Sequence, residues 1–285
     1  MMQYIKTILV LGFAFFSSIS YSQVQETLKY TSSNKGKFFV SWGGNRDSYS
    51  KSDIRFKGDG YDFTIKDATA KDKPKGWHVD YINPTRMTIP QTNFKLGYFI
   101  SDHYTVALGV DHMKYVMHRN RNRTIDGYID LPTDESGSVY NGVYNNESVF
   151  ISSDMLKFEH TNGLNYVYGE FARFDDISSI FGIQNTDVFQ INITEGLGAG
   201  VLYPKTNTTL LEKERYDEFH VSGYGLSANI GLNLLVLKHF FIQLDAKGGY
   251  INMNDIRTTS NTSEHAEQSF YFFQRVISFG GIFKL

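Results

Sequence analysis

The chain has 285 residues, of which 41% are hydrophobic, a formal net charge of −2 and no cysteine. Length and apolar content allow one large domain or two small ones. The near-neutral, intermixed charge gives no basic field for nucleic acid, and the lack of Cys excludes a disulfide framework, a thiol nucleophile and a zinc–thiolate site. Aromatic residues make up 15% of the chain against only 5 prolines, a mixture that favours strands over helices.

At the start of the chain, Lys6 precedes an uncharged apolar run from Thr7 to Ile19, followed by Ser20-Tyr21-Ser22. The run is shorter than the roughly 20 residues of a helical span, and small residues flank the expected cut. A cleaved secretory signal is therefore predicted over residues 1–22, leaving 23–285 as the mature region. No later stretch is apolar for the length of a helical span, so a mature chain that lives in a membrane must cross it as strands.

Alternation of period two begins with Phe38, Val40 and Trp42. It continues through Phe94, Leu96, Tyr98 and Ile100, then Val106, Leu108 and Val110, and then Phe189, Ile191 and Ile193. From 223 to 234, Tyr224, Leu226, Ala228, Ile230, Leu232 and Leu234 alternate with Gly, Ser and Asn, and no position is charged. A soluble sandwich carries charge on its outward face; an uncharged greasy face fits lipid. Strands are predicted at 37–47, 91–101, 103–117, 162–175, 187–203, 218–236, 239–255 and 267–285. Short turns near 102, 180 and 238 face the periplasm, and outer loops span 48–90, 118–161, 204–217 and 256–266. The fold expected is an all-β, closed antiparallel up-and-down transmembrane β-barrel of eight strands with long extracellular loops. Tyr61 to Ile65 and Val149 to Phe158 would make ten if both were added. Arg275 falls on the lipid-facing parity, which a bulge or a place near the rim would explain.

Lys95, Asp111, Glu170, Asp245 and Lys247 all fall on the inward parity, where buried charges need partners, so a lumenal ion-pair network is expected. The glycines at 196, 198 and 200 sit on one face of a strand and thin the interior; no helix follows them, as a phosphate loop would require. Asp59, Asp62, Asp67 and Asp72 lack the Gly and closing Glu of a calcium loop and read as solvated. The densest reactive set is Asp111-His112-Met113-Lys114-Tyr115 against Glu159-His160-Thr161-Asn162 on the neighbouring strand. If the strands stay regular, Asp111 could orient His160 as a general base, with Thr161 and Asn162 supplying a hydroxyl and an oxyanion donor. The same residues also suit a polar girdle that binds lipid headgroups, or a metal site. No cofactor is expected.

Tyr271, Phe273, Ile277, Phe279, Phe283 and Leu285 share one parity and resemble the final strand of outer-membrane barrels. That resemblance implies recognition by the barrel-assembly machinery. The whole mature region resembles the small Gram-negative outer-membrane barrels, including those of the Bacteroidota, which implies an outer-membrane setting among lipids and lipopolysaccharide. Phe158-Glu159-His160-Thr161-Asn162 is faintly similar to the His-x-Ser-Asn signature of the lipid A deacylase barrels, onto which only His160 and Asn162 map. Three functions follow as expectations: a filled scaffold with surface-interaction loops, a lipid-modifying hydrolase, or a small porin or hydrophobic-ligand channel. No sequence feature sets an oligomeric state.

Overall fold

Period-two alternation becomes strand over most of the chain. The computed structural model describes residues 33–76, 78–82 and 90–285; the expected signal segment, 1–22, lies outside them. Fourteen strands form one antiparallel sheet: β1 (Phe38–Tyr49), β2 (Ser52–Gly58), β3 (Tyr61–Ala68), β4 (Ala70–Lys71), β5 (Thr92–Phe99), β6 (Tyr104–Met117), β7 (Arg121–Ile129), β8 (Gly142–Ile151), β9 (Leu156–Asp176), β10 (Phe189–Leu202), β11 (Asn207–Leu210), β12 (Gly223–Val236), β13 (Phe240–Arg257) and β14 (His265–Phe283). Pairing runs β1-β5-β6-β9-β10-β12-β13-β14, and β14 also pairs with β1, from Phe38↔Phe283 to Tyr49↔Phe272. These eight strands form a ring of hydrogen-bonded neighbours. β2, β3, β7 and β8 extend the sheet from β14, while β4 joins β6 and β11 joins β9.

The expected closed barrel of eight or ten strands is thus overturned: the ring is one part of a fourteen-strand sheet. The cause lies in β14, which continues beyond its pairing with β1. Its leftover edge, His265–Gln268, is taken by Lys57–Ile54 of β2. β2 then pairs with β3, β3 with β7 and β7 with β8. Backbone groups that a loop would leave to water are satisfied by one another. The segments 48–90 and 118–161, expected as solvated loops, therefore hold most of a second packed region.

That region has its own core. Ile54 and Phe56 of β2, Phe63 and Ile65 of β3 and Ile125 of β7 are at most 1% exposed and pack with Phe158, Leu210, Met253 and Phe270. The opposite face of the same strands is charged, with Arg55 bound to Asp62 at 2.7 Å and Lys66 to Asp53 at 3.0 Å. One face apolar and one charged is the pattern of a sheet standing in water. We call this part the cap.

The ring alternates in the opposite sense. Its outward face exposes Leu96, Leu108, Leu197, Ile242, Tyr271 and Ile277, while the intervening residues are buried inside. Near the short turns the interior is closed by Phe39, Phe99, Phe174, Leu235, Phe241 and Ile282. Above this plug lies a polar layer, and above that Tyr166, Tyr168 and Phe272 merge with the core of the cap. Gly109 is required by this filling, since a Cβ there would lie 2.3 Å from the Tyr168 ring. Arg275 sits in regular register opposite Ala246 and Arg46, so no bulge accounts for its outward position.

Candidate functional site

The inward parity of five ring strands delivers polar side chains to one layer. Lys247 of β13 reaches Asp111 of β6 at 2.5 Å. These two strands stand opposite each other in the pairing order, so this ion pair spans the interior. Lys95 of β5 binds Glu170 of β9 at 2.6 Å, passing over the intervening strand β6. Asp111 also accepts from Asn93 at 2.7 Å and from the Tyr168 hydroxyl at 3.2 Å, and the Lys247 ammonium lies 3.6 Å from the Tyr168 ring centre. Asn229, with its amide turned to donate, reaches the second oxygen of Glu170 at 3.1 Å. Asp245 accepts from Gln243 at 2.8 Å and is the carboxylate of the layer without a direct ion pair among the described residues. The five charges expected inward therefore share one layer, in two ion pairs plus Asp245.

The layer borders a cavity lined by Ser41, Thr194, Asn233 and Ser278 as well as by these charges. Its water-accessible volume is about 60 Å³, room for roughly four waters. The two ion pairs thus stand beside this small cavity, with the apolar cluster at the turns below it.

Upward, the polar chain continues. Asn93 accepts from Asn45 at 2.8 Å, and the Asn45 oxygen accepts from Gln91 at 3.2 Å. Gln91 also donates to Asp47 and to Asp72. This cluster was not legible beforehand. Asn45 and Asp47 share the inward parity, but Asp72 belongs to a stretch that reads as solvated loop, and only folding brings it over β1.

The reactive set at 111–115 and 159–162 separates into three environments. Asp111 belongs to the layer just described. His160 pairs with Tyr115, four residues further along β6, about 13 Å away at the rise of a strand. Its Nδ1 is 2.9 Å from the Thr206 hydroxyl, and its ring packs on Tyr115 and Phe158. Burial pushes the His160 imidazole down to about 3, against a smaller opposing pull from Gln268. Asn162 donates to Asp217 at 3.1 Å from within the register shift of the β6–β9 pairing, where Gly163 adopts φ 137°. No carboxylate hydrogen-bonds His160 among the described residues, and none of them forms a group of three or more His, Cys, Asp or Glu able to hold a metal.

No protein-family model matches the sequence, and no curated protein matches it. Among solved structures, the chain is similar to the outer membrane protease OmpT of Escherichia coli, at 8% identity and a TM-score of 0.40, over 90% of this chain and 100% of that one. It is also similar to the N-terminal β-barrel domain of OprF from Pseudomonas aeruginosa, at 8% identity and a TM-score of 0.31, over 88% and 100% of the two chains. A third is Ail, the attachment invasion locus protein of Yersinia pestis, at 12% identity and a TM-score of 0.31, over 87% and 99%. The likeness is to β-rich Gram-negative outer-membrane proteins in general, singles out no family among them, and says nothing about what this chain binds or catalyses.

Proposed function

We propose that the chain is an integral outer-membrane protein of a Gram-negative bacterium, in which a membrane-embedded ring of strands carries a folded cap at the cell surface. The observation that carries this reading is the outward face of the ring. Leu108 is 71% exposed, Leu197 68% and Ile277 61%, and exposed apolar residues recur on β5, β9, β12 and β13. Fully exposing one such side chain to water costs about 1.5–3 kcal/mol, and a continuous belt of them is tolerable only where lipid replaces water. Tyr271, Tyr250, Tyr224 and Tyr203 lie toward the cap end of this belt, as interfacial aromatics do. The role that fits a filled interior and a folded, charged cap is that of a surface scaffold or interaction protein among outer-membrane lipids and lipopolysaccharide, delivered by a signal peptide and by the assembly machinery acting on β14.

The test is fractionation of cells expressing the full chain. The protein is expected in the outer-membrane fraction, resistant to carbonate extraction, with a gel mobility that changes on boiling. A product recovered in the aqueous phase without heat-modifiable mobility would refute the assignment. Mass spectrometry of lipid A from cells with and without the gene tests the hydrolase alternative, which requires the two profiles to differ.

A further inference from the structure

On the lipid-facing side of the ring two arginines stand against each other. Arg46 of β1 and Arg275 of β14 are direct partners across the strand pair. Both lie on the outward parity, since their neighbours Asn45, Asp47, Gln274 and Val276 are buried inside. Like charges opposed on adjacent strands destabilise a sheet. An arginine on the lipid face of a barrel is costly at the bilayer midplane and tolerated only near an interface. Two of them together on an otherwise apolar belt call for an anion to compensate them.

The height of the pair follows from the register. Phe38 pairs with Phe283 toward the turn end of the same two strands, and Arg46 pairs with Arg275 eight residues further along each. At the rise and tilt of barrel strands that is about 20 Å along the barrel axis, against an apolar band about 25 Å tall. Both guanidiniums, carried on long stems that extend toward water, therefore reach the outer edge of the band. Among the described residues no acidic side chain shares that face with them. The outward positions two residues away are Gly44, Ser48, Leu244, Gly248, Phe273 and Ile277, and the partner of Arg275 on β13 is Ala246. Asp47, next to Arg46 in sequence, faces the interior, where Gln91 donates to it at 2.9 Å. Arg46 donates to the Asn45 carbonyl at 2.6 Å, and Arg275 makes no hydrogen bond or ion pair among the described residues. The sheet beside Arg275 is open: a Cβ on Gly248 would meet nothing closer than the Phe272 carbonyl oxygen at 3.9 Å, so a headgroup has room to lie against the backbone.

We propose that Arg46 and Arg275 form a binding site for the phosphate of an outer-leaflet glycolipid, the lipid A portion of lipopolysaccharide. The site rests on the assignment of the chain to the outer membrane and names the lipid group that the ring holds there. A guanidinium binds phosphate through paired N–H donors, and one phosphate between two such forks compensates both charges at the level where each is already close to water. The acyl chains of the same lipid then run down the belt over Ile277 and Phe279, which are 61% and 53% exposed. The phosphate of phosphatidylethanolamine arrives with its own ammonium and leaves the arginine pair less to do, and inorganic phosphate lacks the chains. Arg275, the exception to the apolar parity of β14, is on this reading the residue that recognises the lipid.

The experiment titrates the full-length protein, folded in detergent, with lipid A carrying its phosphates, with the same lipid A stripped of them, with phosphatidylethanolamine and with inorganic phosphate, and counts the bound molecules by native mass spectrometry. Saturable binding of the phosphorylated lipid A is expected. Removing the phosphates, or introducing Arg46→Gln or Arg275→Gln, should weaken it by about 10-fold or more, the size of a lost charged hydrogen bond. Arg275→Lys should bind more tightly than Arg275→Gln, because an ammonium keeps the charge without the fork. Boiled and unboiled gel mobility of each variant establishes that it is folded. Equal binding of lipid A with and without phosphates, or unchanged affinity in a folded variant carrying both Arg46→Gln and Arg275→Gln, overturns the proposal. Binding of phosphatidylethanolamine or inorganic phosphate as tight as that of phosphorylated lipid A does the same. A heat-modifiable protein of the outer-membrane fraction that fails these tests loses only the lipid site, whereas a chain absent from that fraction loses the membrane assignment as well.

Discussion

The ion pair between Lys247 and Asp111 shows what a single residue contributes to a filled interior. Both are at most 3% exposed, and each is the other's charge partner. Removing one leaves a buried, uncompensated charge, at a cost of about 3–5 kcal/mol. Lys247→Met or Asp111→Asn alone should therefore lower the urea midpoint of the folded protein strongly. The double variant should recover much of the loss, because it removes the charge together with its partner. Strictly additive losses would show that the two do not act as a pair. His160 makes a different residue-scale prediction. Its folded value of about 3 lies below the ordinary histidine value of about 6.5, so its contribution to stability is fully present above about pH 6.5 and is lost as pH falls toward 3. At pH 4.5 the cap should be weaker by roughly 2–3 kcal/mol from this group alone. His160→Phe should flatten that dependence, read as protease resistance of the cap between pH 7 and 4.5.

At the scale of elements, the cap and the ring share β6, β9, β13 and β14 but have distinct packing. Phe63 of β3 is 1% exposed and stacks on Phe56 at 5.3 Å within the core of the cap. Phe63→Ala should cost about 3–5 kcal/mol, expressed as trypsin cleavage at cap lysines and arginines while heat-modifiable mobility of the ring persists. Loss of both together would show that ring and cap are one cooperative unit. The eight ring strands were legible because lipid removes charge from one face and leaves an uninterrupted alternation. In β2 the same period is present, with Ile54 and Phe56 alternating with Asp53, Arg55 and Lys57, but the charged face disguises it as loop. Nor does any local signal reveal that β14 outruns β1, because strand pairing across more than 200 residues has no trace in either segment. The inward charges were legible for the same reason as the strands: parity alone places Lys95, Asp111, Glu170, Asp245 and Lys247 inside. The proximity of Asp111 and His160 could not be judged this way, because parity fixes the face and not the height, and the register shift near Gly163 alters the height.

For the whole molecule, the order of layers along the ring axis decides whether anything can pass. The aromatic and aliphatic plug of Phe39, Phe99, Phe174, Leu235, Phe241 and Ile282 fills the turn end, while toward the cap the polar layer continues through Asn93, Asn45 and Gln91 to half-buried Asp72 beside the core of the cap. The plug at the turns is the barrier that an ion would have to cross without its water. In planar bilayers the folded protein is therefore expected to give no unitary conductance. Opening one end should not suffice. A cap loosened by Phe63→Ala should remain silent, because the plug at the turns is built from different residues and does not depend on β3. Conductance should require shaving the plug as well, for example with Phe99→Ala and Phe241→Ala added to the cap variant. The Lys95, Asp111, Glu170, Asp245 and Lys247 layer, with one more carboxylate than ammonium, should then favour cations. A steady conductance from the unmodified chain would refute the layered seal and restore the channel reading.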